Sequence, residues 1–436
     1  MNRRQFLAAV AVASSWAGSR ALGANDRIRV GFIGVGGRGR FLLDYFPVDT
    51  PGVEVTAVSD CYLPRCYGKD PASKSAPHPL VDRWAKYQDY RRMLEKEKLD
   101  AVFVETCTHA RVLAVMHALE AGLDVYAEKP LTLTVEEGRT LRKAVAKSGK
   151  VLQTGTQQRS MPINRYASDL VKTGKIGRIE SVVVCNFLPP IAWVPMGERP
   201  IPEGLDWDKW CNQTELRAYH PRLHRGWGWY QDYDGGGQSW GVSGWGTHSL
   251  DQVQCALGTD DTGPVEMWTE NDITQDAPDF PAKKDPGFGF TRGRKPVIMR
   301  YASGTLLRLE EPGRAGLDQL GATFNGSDGM VHILRGSFST NRPELRKGAP
   351  DDTAMGKGED VAHIRNFFDS VRSRKKPNAD VETGHRATTV CHLVNICRLL
   401  DRKLKWDPQA ERFEGDDDAN GMLSRTRRKG YELPNA

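Results

Sequence analysis

Beyond its first two dozen residues the chain has no apolar run near the roughly 18 residues that a membrane-crossing helix needs, so no transmembrane span is expected. Its eight cysteines (Cys61, Cys66, Cys107, Cys185, Cys211, Cys255, Cys391 and Cys397) form no CxxC pair. That argues against a zinc cluster, and no metal site is expected. Cys391 and Cys397 lie six apart in a helical pattern and cannot face each other. The cysteines therefore read as small core residues. Acid is missing from residues 1–24, which hold Arg3, Arg4 and Arg20. With those three set aside, 58 basic residues stand against 55 acidic ones, and the net charge falls from +6 to +3. Such a balance, with no dense basic stripe, excludes nucleic acid as a natural partner. Internal repeats are also absent.

What is present is an ordinary globular composition, 39% hydrophobic and 27% charged, over 436 residues. That length suits roughly two or three domains at about 150 residues each. The first 24 residues combine Arg3-Arg4-Gln5-Phe6-Leu7, a short apolar run and a small-residue zone ending at Ala24. This is the form of a twin-arginine export signal, with cleavage expected between Ala21 and Ala24. It predicts a periplasmic or secreted protein.

From 27 to 154 short apolar runs alternate with helical patterns. The runs are IRVGFI (28–33), VEVTAV (53–58), DAVFVE (100–105), DVYAE (124–128) and VLQT (151–154). Helices are predicted over 109–121 and 134–148, the second opened by the capping box Thr134-x-x-Glu137 and closed by Gly149. This alternation predicts an α/β domain with a doubly wound parallel sheet. A second α/β domain, 155–405, is predicted around strand-like runs at 179–187, 265–270, 297–302, 305–310, 321–326 and 330–335 separated by glycine-rich turns, which favours a mostly antiparallel open sheet. Helices over 362–373 and 383–400 close it, with room to pack back on the first domain, and 406–436 reads as a polar tail. The segment 188–237 is long and little patterned, yet too rich in tryptophan for disorder.

The first run leads into Gly34-Val35-Gly36-Gly37-Arg38-Gly39 and a helix start. That is G-x-G-x-x-G in the strand–turn–helix setting where the glycines admit a pyrophosphate to a helix N-terminus. VEVTAVSD then ends in Asp60, 26 residues after Gly34, slightly beyond the usual spacing of about 20. A carboxylate there binds ribose hydroxyls and repels a 2′-phosphate, so NAD is predicted over NADP. Arg38, placed to touch phosphate, leaves NADP as the alternative.

These residues, with GFIGVGGRGR, VYAEKPLTLTVEEG, LQTGTQQRS, GWGTHSLDQVQCALG and HIRNFFDSVRSRKKPNADVETGHRA, resemble the Gfo/Idh/MocA (glucose-fructose oxidoreductase/inositol dehydrogenase) family over nearly the whole chain beyond residue 24. The resemblance implies NAD(P)-dependent hydride transfer from a sugar, glycoside or polyol, a site between the domains, and a homo-oligomer, dimer or tetramer, built on the open sheet. It also implies that Lys129, in the Glu128-Lys129-Pro130 strand end, is catalytic with His248, and that Thr106, His109, Glu128, Lys129 and Gln157 join Gly34, Gly36, Arg38, Gly39 and Asp60 around the cofactor. A lysine at the end of a parallel strand points into the crevice, and burial would lower its pKa toward use as an acid or base. A histidine suits the same work near neutral pH. Asp251, three residues after His248 on a helix, is expected to orient it or bind sugar hydroxyls. Trp207, Trp210, Tyr230 and Asp232 are candidates for sugar binding; the tryptophans could equally close the domain interface.

One position departs from the pattern. Inositol dehydrogenase-like members carry aspartate four residues before the histidine, and that position is Gly244 here. Tyr230, Asp232, Tyr233, Asp234 or His224 are the available substitutes. The departure leaves room for a redox-neutral glycosidase that oxidises a sugar transiently, and for a non-catalytic sugar sensor. Export, where free NAD is scarce, favours a cofactor held tightly through the cycle.

Overall fold

The computed structural model describes residues 27–44, 46, 52–73, 75–236, 241–270, 295–310, 320–353 and 357–435. The expected export signal lies outside them.

Six parallel strands form the first sheet: β1 (Ile28–Ile33), β2 (Val53–Ser59), β3 (Ala85–Tyr87), β4 (Ala101–Val104), β5 (Asp124–Ala127) and β6 (Leu152–Thr154). Their order is β3-β2-β1-β4-β5-β6, so the chain reverses direction of travel between β1 and β4. β1, β4 and β5 are buried on both faces, which is why they read as unbroken apolar runs. One face carries the helices Thr108–Glu120 and Val135–Ser148. In the second, the Thr134 hydroxyl accepts the Glu137 N–H, while the Glu137 carboxylate accepts the Leu133 N–H. Gly149 ends it in the left-handed region at φ 63°. The other face packs Phe32, Phe46 and Phe103 against Ile364, Phe367 and Phe368 of the helix Lys357–Ser373. A helix from the far end of the chain thus completes the first domain's core.

The second sheet has nine strands: β7 (Ile179–Cys185), β8 (Pro264–Thr269), β9 (Val297–Tyr301), β10 (Leu306–Glu310), β11 (Ala322–Gly326), β12 (Gly329–Leu334), β13 (Ser337–Thr340), β14 (Leu404–Asp407) and β15 (Arg412–Phe413). The order is β13-β12-β11-β7-β10-β9-β8-β14-β15, antiparallel except between β7 and β10. Helices Pro162–Lys172, Trp245–Leu257 and Val381–Leu400 share its core. The segment read as a polar tail is built in. It carries β15 and buries Phe413, Ala419, Leu423 and Tyr431, because its few apolar residues pack on elements distant in sequence. All eight cysteines are free thiols, five of them buried. No helix among the described residues is long and apolar enough to cross a membrane.

Candidate active site

The reversal between β1 and β4 opens a crevice at the carboxyl ends of the strands, where doubly wound sheets bind ligands. A cavity of about 340 Å³ lies there, lined by Gly34, Gly36 and Arg38 after β1, Asp60 after β2, and Glu105 and Thr106 after β4. Gly34 sits at φ +91°, and a Cβ on it would come within 2.8 Å of the Glu105 backbone. A Cβ on Gly39 would strike the Gly34 carbonyl, so this glycine lets helix and strand approach. The Asp60 carboxylate is buried and accepts the Val35 N–H at 3.0 Å and the Tyr62 N–H at 2.9 Å. These features fit a dinucleotide: a glycine cradle, free helix N–H groups and a carboxylate at the end of β2. Arg38 gives Nε to Glu128 at 2.7 Å and Nη2 to Asp360 at 2.6 Å. The cation beside Asp60 is instead Arg65, 3.7 Å away and bonded to Asp70 at 3.0 Å.

Lys129 follows β5 and is partly buried. Its Nζ donates to the Gly244 carbonyl at 3.2 Å. Burial pushes its pKa down, opposed by the charges of Glu128 and Asp234. Glu128 is buried; that burial works against its charge, yet Arg38 and Lys129 hold its carboxyl below the usual range. Gln157 donates to Glu128 Oε1 at 3.2 Å and to the Tyr126 hydroxyl at 3.1 Å. It therefore stands behind Glu128. Gly155 is required beside it, since a Cβ there would lie 2.7 Å from Glu128 Oε1.

His248 opens the helix Trp245–Leu257 and is buried. Its pKa lies well below the usual imidazole range through burial, reinforced by the positive charges of Arg335, Lys129 and Arg38. The neutral ring has no hydrogen-bond partner for Nδ1 among the described residues. Asp251 does not orient it. That carboxylate is held by Arg159 Nε at 2.8 and 2.9 Å, and Arg159 reaches on to Asp260 at 2.7 Å. Burial lifts the Asp251 pKa to about 6 against the pull of Arg159. Its partner lies 92 positions away in sequence, out of reach of helical spacing.

The tryptophans pack in a cluster with Tyr62 and Cys107 of the first domain, as the interface-closing alternative expected. Trp207 stacks on Trp210 with centroids 4.4 Å apart, and Tyr219 meets it edge-on at 5.0 Å. One face of Trp207 is thus closed to a sugar; Trp210 alone of this pair lines the cavity. Tyr230 is buried edge-on against Trp193. Asp232 pairs with Arg217 at 2.5 Å and lies 3.7 Å from Arg425. His109 is buried, its Nε2 donating to the Trp210 carbonyl at 2.7 Å. Burial takes its pKa down to about 4. It fastens the aromatic segment over the crevice; Thr106 lines the cavity itself.

Two lining residues, Glu105 and Arg65, were not singled out from the sequence, and Asp234 was only one of several candidate substitutes there. Asp234, one of several possible substitutes, is fully buried and accepts the Thr108 hydroxyl at 2.7 Å and the Ser243 hydroxyl. Ser243 adjoins Gly244, whose carbonyl holds Lys129. Glu105 and Arg65 line the cavity without any motif to announce them.

A glycine-loop parallel sheet, joined to a nine-strand sheet with a lysine and a histidine on facing elements, defines a two-domain nucleotide-dependent protein. The chain belongs to the Gfo/Idh/MocA oxidoreductase family. Residues 28–156 match its NAD-binding Rossmann fold and residues 190–433 its C-terminal alpha/beta domain. A scyllo-inositol 2-dehydrogenase (NAD(+)) of Bacillus subtilis is 27% identical over 152 residues, 35% of this chain and 42% of that protein. A glycosyl hydrolase family 109 protein of Saccharopolyspora erythraea is 32% identical over 118 residues, 27% of this chain and 26% of that protein. The chain thus spans less than half the length of these relatives. The myo-inositol 2-dehydrogenase structure from Lactobacillus plantarum superposes with a TM-score of 0.57 at 18% identity, over 87% of this chain and 99% of that one, and shares the fold.

Proposed function

We propose that this protein oxidises a hydroxyl of a sugar, glycoside or polyol with NAD, Lys129 and His248 forming the acid–base centre. The observation that carries the reading is Lys129. It is a partly buried lysine just past β5, at the carboxyl edge of the parallel sheet, with its proton affinity lowered by burial. When bound, NAD supplies a hydride acceptor. Lys129 Nζ takes the hydroxyl proton or steadies the alkoxide, and neutral His248 stands ready to accept a proton. Asp234, anchored by Thr108 and Ser243, supplies the nearby carboxylate that position 244 lacks. We further propose export by the twin-arginine-type N-terminus, a tightly retained nucleotide, and a homo-oligomer formed through the open sheet. The test is to purify the protein without added nucleotide, record bound NAD(H), and follow reduction with a panel of sugars and inositols. An empty protein that reduces no NAD with any of them overturns the reading.

A second reading is favoured by the glycine at position 244 and the unpartnered His248 Nδ1. It is redox-neutral glycoside cleavage, as the name of the glycosyl hydrolase relative suggests. Aryl glycosides separate the two. Aryl release with catalytic NAD supports cleavage, and a keto-sugar with stoichiometric NADH supports oxidation.

A further inference from the structure

A turn of the second domain borders the nucleotide cavity in a conformation that its residue type does not favour. The short helix Trp207–Cys211 ends at Asn212, which sits at φ 50° with ψ −124°. That is the conformation of the first central residue of a type II′ turn, a place glycine normally fills. The strain is held from two sides. Arg428 donates Nε to the Asn212 carbonyl at 3.0 Å, its main-chain N–H to the Gln213 carbonyl at 2.9 Å and Nη2 to the Asp208 carbonyl at 2.9 Å. Gln213 Nε2 donates to the His109 carbonyl at 2.6 Å, which fastens the turn to the helix Thr108–Glu120. Strained backbone fixed in this way clusters at ligand clamps.

The side chain is a second, independent sign. Asn212 is only 4% exposed and lines the cavity that holds the glycine cradle and Asp60. Its Oδ1 accepts the Gln213 N–H at 2.9 Å, so the oxygen is engaged and Nδ2 is the free end of the amide. Nδ2 has no hydrogen-bond partner among the described residues, yet it is not one of the buried polar atoms closed to solvent. For a residue so nearly buried, the opening that Nδ2 meets is the cavity it lines. Ala110, Leu113 and Trp227 line the same cavity and offer apolar surface to a flat heterocycle. With the cradle suited to the pyrophosphate and Asp60 to the ribose, the adenine is the part of NAD left for this lining. The nicotinamide belongs beside Lys129, which is not among the lining residues.

We propose that Asn212 reads the base of the bound dinucleotide, its Nδ2 donating to a ring nitrogen of the adenine. Such a nitrogen accepts and has no hydrogen to offer, so it suits an amide whose oxygen is already taken. The second domain thereby helps to hold the nucleotide. The proposal rests on NAD binding alone, not on the sugar chemistry above.

The experiment is calorimetric titration of NAD⁺ and of ADP-ribose into the full chain stripped of nucleotide, comparing wild type with Asn212→Asp and Asn212→Gly. Aspartate keeps an oxygen for the Gln213 N–H and replaces the donor with an acceptor. Glycine removes the amide and adopts the turn without strain. Both variants are expected to bind NAD⁺ about tenfold more weakly, the size of one lost hydrogen bond. They should lose the same factor for ADP-ribose, which keeps the adenine and lacks the nicotinamide. Either variant as tight as wild type, or a loss seen with NAD⁺ and not with ADP-ribose, overturns the proposal. Nucleotide-free melting separates contact from damage: midpoints within about 3 °C of wild type are expected, and weak binding only in variants that melt about 10 °C lower overturns it. ADP-ribose accepts no hydride, so a failure of the sugar oxidation would leave this result standing.

Discussion

Lys129 Nζ donates to the main-chain carbonyl of Gly244 at 3.2 Å, the position where inositol dehydrogenase-like relatives present a carboxylate. A carbonyl dipole steadies an ammonium less than a full negative charge does, so burial prevails and the pKa of Lys129 falls. Lys129→Ala removes the group and is expected to cut single-turnover hydride transfer by about 10²–10⁴-fold, the usual worth of a positioned acid or base. NAD affinity should stay within a few-fold, because the cradle and Asp60 are untouched. Stopped-flow NADH absorbance measures the first quantity and calorimetry the second.

The same lysine gives the rate a pH dependence whose sign is fixed. As a base it must be neutral, so activity rises as pH climbs through its lowered pKa. Asp234 opposes that lowering by holding the proton on the ammonium. Asp234→Asn should therefore move the rising limb of the pH–rate profile to lower pH. One of the Thr108 and Ser243 hydroxyls can still donate to the remaining oxygen of asparagine, and the other turns to accept from its amide. A variant that loses rate equally at every pH would show Asp234 to be purely structural.

On the proposed reading, coenzyme choice is set at Asp60. Its carboxylate is positioned to accept ribose hydroxyls and to repel a 2′-phosphate, and Arg65 stands 3.7 Å from it. Asp60→Ala removes the repulsion and frees Arg65, which remains bonded to Asp70. NAD should bind about tenfold more weakly, with the NADP-to-NAD preference rising by at least as much. Dissociation constants for both nucleotides, read from protein fluorescence, test this.

The local rules carried much of the fold. Apolar runs bounded by turns marked β1, β2, β4, β5 and β6 but missed the three-residue β3, and the Thr134 cap and Gly149 stop bounded their helix correctly because both act within a few residues. The glycine loop and Asp60 were legible for the same reason. What escaped depends on partners far along the chain. Asp251 faces Arg159, and Trp207 stacks on Trp210; neither follows from spacing alone. Glu105 gave no signal at all, since a glutamate at a strand end is ordinary until its surroundings are known. The last thirty residues look polar because charged side chains outnumber apolar ones there, yet Glu411 and Arg427 turn inward to buried partners.

Glu411 shows what that inward turn does. It is buried in the segment after β14, with His385 Nε2 donating to its Oε1 at 2.5 Å. Arg139 meets it at 3.2 Å, Arg142 at 3.3 Å and Arg386 at 3.2 Å. It thus ties the helix Val135–Ser148 of the first domain to the helix Val381–Leu400. Burial opposes its charge, but His385 and these arginines hold its pKa down to about 2. A carboxylate held below its unfolded value of about 4.3 stabilises the protein above that pH, and the contribution fades as pH falls toward 2. Glu411→Ala removes the shared carboxylate, while Arg139 keeps Glu136 and Arg142 and Arg386 keep Glu382, and should cost about 1.5–3 kcal/mol near neutral pH. Glu411→Gln, which no longer titrates, should differ most from wild type near neutrality and converge on it below pH about 4. Urea unfolding of the three proteins between pH 7 and about 3 measures both effects, and a wild-type advantage that grows on acidification would be the wrong sign for this clamp.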